Sequence, residues 1–507
     1  MRGGPVRPAP GAELAARRVL LQTKKGGTMG RPTTTSSPAR RARRGRGTRS
    51  RRRYGARLAL MASVTFVLSL LLAATVQAAK PGTLLYAKHI GAGLKSGAFA
   101  SAIAAGPKGV TALAGWQVKS GTVYPMVAKY TSAGKRVWLK RYTVAGEGRA
   151  VDVAFDRSGN VYVAATVDSG AGDDIVVLKY SASGALRWAT PPYDGGENGD
   201  DECTEIAVDG KGDVVVLGES DRAGLTGIVV LKYTKAGKQA WPEHTRWDPE
   251  PSDPDAGDYD VADLALDGKG DIYVAGSNEY LGLENAIVLK AMGADGARQK
   301  GWVYEPRHGD SSSFDELAVR GSSVVATGSV WTKGVDGSEN ALIVKFDRGL
   351  REKAWKEWGV GNTSEEWFGA AVIDGKGSVF VTGEQWVAGK YSKAVTMKLD
   401  AKLRKVVWSK AYMPASRDAE GWYIVRDGAG NVYVGGVRDQ HVSKAAFLTI
   451  KYSAAGARKW VRAWSGGGGP WAHPAGLVLG SKDGVYVGGD AWGKGGVHQA
   501  VLLKYRR

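Results

Sequence analysis

The chain has 507 residues, with 70 basic and 50 acidic side chains, a formal charge of +20 and one cysteine, Cys203. A lone cysteine permits no internal disulfide and excludes a cysteine-based metal cluster. The charge points to a nucleic-acid binder only until its distribution is read: residues 1–57 carry 17 Lys/Arg against one acidic residue, which leaves 53 basic and 49 acidic residues beyond them. Nucleic acid is therefore discarded as a partner.

Residues 1–57, basic and rich in Pro, Ser, Thr and Gly, bury too little apolar surface to offset chain entropy and are expected to be disordered. An uncharged apolar run follows at 58–78 and ends in Val76-Gln77-Ala78. A positive flank, an apolar core and a small-residue exit describe a secretory signal peptide. The run is also long enough for one membrane span with the Arg-rich flank inside. The flank is long for a signal, which leaves Met29 or a later residue as an alternative start. The segment 50–54, SRRRY, loosely resembles a twin-arginine signal. Under either reading the rest is secreted or extracytoplasmic, and it touches a membrane only through 58–78 if that segment is uncleaved.

From residue 79 to 507 one unit repeats. It is clearest at 427–460: a Gly-punctuated turn, a short β-run, a polar loop, a second β-run, a small-residue turn and a Trp. The β-runs after successive turns start at Val110, Val161, Val214, Ile272, Val324, Val379, Val432 and Val485, between 51 and 58 residues apart. Such a period with four β-runs per unit predicts an all-β fold: one closed β-propeller of eight four-stranded blades, or seven if a weak copy is degenerate. In the third copy the four runs are placed at 204–208, 214–217, 228–233 and 239–244. The last copy stops after its third run, while an orphan run at 83–90 precedes the first copy. An N-terminal strand completing the last blade would close the ring and leave no open edge.

The pattern D-x-x-G-N-V-Y-V, then hydrophobic-x-L-K-Y, then G-x-x-x-W resembles the bacterial SBBP-type β-propeller repeat. It stands best at 156–188 and 427–460, with looser copies across the region. The resemblance implies a secreted or surface-exposed propeller and no particular reaction.

Three sets of residues recur. A lysine occupies one register of every third run: Lys129, Lys179, Lys232, Lys290, Lys345, Lys398, Lys451 and Lys504. A device needed once per blade fits this better than a ligand ring, with turn carboxylates such as Asp156 and Asp427 as partners. A Trp opens most fourth runs and reads as blade packing. Ten further Trp fall in the loops between second and third runs or in the passages between blades. Trp116, Trp331, Trp386 and Trp492, in polar loops, are the candidate ligand contacts. Asp152, Glu205, Asp263 and Glu316 align at the start of the innermost run, where the other copies have Ser101, Ala370, Tyr423 and Gly476. These carboxylates read as a solvated rim, as acceptors for sugar hydroxyls, or as a weak Ca²⁺ crescent. No other cofactor is expected.

No nucleophile elbow, phosphate loop or metal-spaced His set is present, so no catalytic residue is assigned. The expected function is a monomeric, non-catalytic binding module for an extracellular glycan or glycoprotein. A propeller glycosidase or lyase using loop-face carboxylates and a protein–protein scaffold of the cell envelope remain alternatives.

Overall fold

The computed structural model describes residues 79–507, apart from loop stretches at 92–96, 197, 223, 250–255, 305–308, 333–338, 360–363, 388–390, 417, 441–443, 467–468, 470, 481–483 and 494–495. The leader and the apolar run at 58–78 lie outside the described residues. Among the described residues no helix is long and apolar enough to cross a membrane.

The turn chemistry explains the repeat. In the second copy Asp156 accepts hydrogen bonds from the Ser158 and Asn160 N–H groups, both at 2.9 Å. Its other carboxylate oxygen takes the Asn160 amide at 2.7 Å and the Tyr162 hydroxyl at 3.3 Å. Gly159 sits at φ +80°, where a side chain would be strained. Asp427, Asn431 and Tyr433 repeat the arrangement. The Asp-Gly-Lys-Gly copies bond likewise, Asp209 accepting from Lys211 and Asp213 N–H. The motif is an Asx-type turn that folds the innermost strand back on the second.

Eight antiparallel four-stranded sheets result. Blade two is typical, with strands Gly148–Phe155, Val161–Asp168, Asp173–Tyr180 and Leu186–Ala189. First strands of neighbouring blades touch all round the ring, including those of blades one and eight, and so line the axis. The apolar core is not central: eight clusters are found, one at each seam between blades. Each blade is covered on both faces, which is why its strands read as nearly unbroken Val/Ile/Leu runs.

The last blade is closed by the chain's own beginning. Leu84–Ile90 pairs antiparallel with His498–Arg506, with Ala87 opposite Leu503 and Ile90 opposite Ala500. Two expected boundaries move. The second run of copy one begins at Thr111, which pairs with Tyr130 as Val161 pairs with Tyr180. Its turn is a Pro107–Gly109 3-10 turn with Lys108 at φ +59°, so Val110 still belongs to the turn and the register partner of Asp152 is Ala102 rather than Ser101. In copy three the fourth strand is Thr245–Trp247, not 239–244. Pro242 lacks the N–H the ladder needs, and Gln239 makes only an isolated bridge to Tyr233.

In several blades the Lys and the Trp meet at a joint with the next. The Ala182 carbonyl in the last turn of blade two accepts both Lys129 Nζ (3.1 Å) and Trp138 Nε1 (3.2 Å) from blade one. The Lys235 carbonyl takes Lys179 (2.6 Å) and Trp188 (3.2 Å) in the same way. Lys504 reaches the Ser132 carbonyl at 2.6 Å, across the ring closure. Turn carboxylates also take part, as in Lys290–Asp271 at 3.1 Å. The lysine ring therefore staples blades. The turn glycine fits under the Trp: a Cβ on Gly184 (φ +90°) would lie 2.7 Å from Trp138 Cγ. Gly184→Ala is expected to cost about 1–3 kcal/mol through overlap and strained φ. Urea unfolding checks this, and an unchanged midpoint would show a slack joint.

Candidate functional site

In an up-and-down blade the hairpins between second and third strands and the passages between blades emerge on one face. On that face the structure sorts the candidate residues into three groups.

The first group stands on the innermost strands around the axis. Each first strand has a register break near the acidic position, between Ala150/Asp152, Cys203/Glu205, Val261/Asp263 and Phe314/Glu316 in blades two to five. A bulge leaves backbone N–H groups without ladder partners. The carboxylate of one blade supplies the acceptor for the next: Asp152 to Ile206 N–H (3.0 Å), Glu205 to Leu264 N–H (2.7 Å) and Asp263 to Leu317 N–H (2.5 Å). Glu316 accepts from Ala371 N–H likewise. In blade one Ser101 Oγ donates to the Ala150 carbonyl instead, at 2.7 Å. Burial, then the neighbouring Asp263, push Glu205 and Glu316 well above the usual carboxylate range. The crescent is thus a set of blade-to-blade stitches with one oxygen per residue already used. It is not among the described groups that bring three ligand atoms close enough for a metal.

The second group is an aromatic arc on blades seven, eight and one. Trp116 stacks on Phe99 at 5.1 Å, Phe99 on His498 at 4.6 Å, and His498 lies 4.8 Å from Trp492. Arg149 covers the Trp116 ring at 5.7 Å. Trp492 N–H donates to the Trp471 carbonyl, and the row continues through Trp471–His473 (6.1 Å, 12°) to Trp422 (4.9 Å from His473). Trp422 Nε1 donates to Glu420 at 2.9 Å. Trp116 and Trp492 are half-buried within the row, whereas Trp471 is 39% exposed. Trp471, Phe99 and the two histidines were not among the sequence candidates. The signal lay in 471–473, WAH, but chain order hides that 99 meets 498 at one seam and 422 meets 473 at the next.

The third group is an acidic arc. Trp331 and Trp386, half-buried on blades five and six, stand at the same strand register as Trp492, the first opposite Glu339 and the second opposite Ser392. Around them lie Asp260, Glu284, Asp315, Glu339, Glu365 and Glu366. Asp315 Oδ2 and Glu339 Oε1 are buried without a hydrogen-bond partner. Burial, reinforced by Asp260 and Glu284, raises Asp315 to about 7. Burial, with Asp315, Glu365 and Glu366 nearby, raises Glu339 to about 8 despite a hydrogen bond from Ser329. Burial thus shifts both acids toward the protonated form near neutrality. Cys203 is inert: burial pushes its thiol up to about 12, and it sits 3.4 Å from Thr166 Oγ1.

No family model matches the chain. No curated protein matches it either. Among solved structures it is similar to the Dos1 propeller, with a TM-score of 0.47 at 11% identity over 84% of this chain and 94% of that one. A polysaccharide lyase of the PL25 ulvan lyase family gives 0.43 at 11% identity over 69% and 90%. The GH93 α-L-arabinofuranosidase of Fusarium graminearum gives 0.37 at 11% over 59% and 91%. Likeness at this level concerns the fold alone.

Proposed function

We propose that this propeller is an exported binding module that takes an extracellular glycan or glycoprotein on its loop face, with the aromatic arc as the shelf. The observation that carries the reading is the exposed indole of Trp471, continued by His473, Trp422 and Trp492. Flat aromatic faces stack on the C–H face of a sugar ring, and neighbouring carboxylates accept its hydroxyl protons. Stacking on an aromatic shelf needs no charge on the ligand, so the preferred ligand is a neutral glycan. A glycan array probed with residues 79–507 tests this. Retention of neutral glycans is expected, weakened about tenfold or more by Trp471→Ala at unchanged melting temperature. Absence of any retained glycan, or undiminished binding by the variant, overturns the reading.

A second reading rests on Asp315 and Glu339. Carboxyl groups that keep protons near neutrality suit general-acid chemistry on a glycosidic bond. It requires glycan turnover that collapses in Asp315→Asn, and binding without turnover removes it.

A further inference from the structure

We propose that Asp174, Asp194 and Asp201 form a calcium site at the seam of blades two and three. One carboxylate oxygen from each lies within 4.8 Å of the others. The backbone enforces this approach. Asp174 is the second residue of the third strand of blade two, and the returning passage pairs Tyr193 with Ile175, N to O at 2.9 and 3.3 Å. Asp194 is thereby carried beside Asp174. Asp201 opens the first strand of blade three, and its Oδ2 accepts from Gly195 N–H at 2.5 Å.

Asp201 is wholly buried, yet its Oδ1 has no hydrogen-bond partner. A buried carboxylate oxygen left unpaired costs free energy that a bound cation restores. Asp174 is buried as well, while Asp194 is exposed and offers the access route. Gly195 forms the cradle: a Cβ there would fall 2.1 Å from Ser220 Oγ and 2.7 Å from Asp201 Oδ1.

Arg246 is the cation that acts on Asp201, and its own hydrogen bonds hold it to neighbouring groups. Arg246 bonds Asp248 at 2.7 Å, Tyr193 OH at 2.9 Å and Ser220 Oγ at 2.8 Å. Arg222 donates to the Gly195 carbonyl. Both fix the wall of the site. An all-oxygen donor set selects a hard cation, and an irregular, partly open cage suits calcium rather than the octahedral demands of magnesium.

Calcium chloride titrated into the purified protein tests the site, with melting temperature and terbium luminescence as readouts. Tyr193, adjacent in sequence to Asp194, serves as the sensitiser. Millimolar Ca²⁺ should raise the melting temperature by about 3 °C or more, with much less from Mg²⁺, and Ca²⁺ should displace terbium emission. Asp194→Asn, an exposed change that leaves folding intact, should abolish both signals. Asp201→Asn should abolish them too while leaving the calcium-free protein at least as stable. Asp263→Asn, on an innermost strand, should keep them. A melting temperature unmoved by Ca²⁺ together with absent terbium emission overturns the proposal, as does a response that survives Asp194→Asn.

Discussion

Deletion of residues 79–90 is expected to cost on the order of 5 kcal/mol, visible as a large fall in melting temperature. The segment supplies the whole outer strand of blade eight, and its loss bares the edge of His498–Arg506. Ile90 also belongs to the seam cluster that joins blade eight to blade one through Ala98, Leu113, Met126 and Leu502. Tyr86 stands where other blades place their joint Trp: a Cβ on Gly134 of blade one would lie 2.7 Å from its ring. Tyr86→Gly, which keeps the strand and empties the joint, should show a smaller loss of about 2–4 kcal/mol. A deletion variant that melts with the wild type would disprove closure by this strand.

The protein is expected to be more stable at pH 5.5 than at pH 8.5. Asp315 and Glu339 have folded-state values of about 7 and about 8, against ordinary values of 3.8 and 4.5. Between the two values the folded chain holds protons that the unfolded chain has released, so stability falls as pH rises through that window. Above pH 5.5 the loss is at most about 2 kcal/mol for Asp315 and about 3.5 kcal/mol for Glu339, since one unit is about 1.4 kcal/mol. The groups facing them, Asp260 and Glu284 for Asp315 and Glu365 and Glu366 for Glu339, are all acidic, so none supplies an attractive charge. The double variant Asp315→Asn, Glu339→Gln removes both ionisations and should make the profile shallower, leaving the slope due to Glu205 and Glu316. Urea midpoints measured from pH 5 to 9 decide it: a wild-type profile that is flat or rises across this range contradicts the picture.

Blade number and closure were legible in the chain because a propeller blade is a local object. The Asp156 turn, its Gly159 and the Tyr162 hydroxyl lie within seven residues, so each copy writes its own hairpin. The truncated last copy and the orphan run at 83–90 likewise stated their pairing, because an unpaired strand edge has one complementary place to go. The Lys and Trp registers announced a device used once per blade, although their shared acceptor, the neighbour's turn carbonyl, is a backbone atom that no side-chain pattern displays.

Contacts between blades were a different matter. Asp152, Glu205, Asp263 and Glu316 aligned in register, yet only the bulges of the first strands show that their carboxylates finish the next blade's hydrogen bonding. The aromatic arc joins residues near both ends of the propeller, 99 and 116 with 492 and 498, which meet because the ring closes. The Asp174–Asp194–Asp201 group depends on where the passage between blades, at Tyr193, turns back onto Ile175. Periodicity assigns a residue to a blade and a height. Which side chains share a seam follows from closure and from loops that do not repeat, and those belong to the tertiary structure alone.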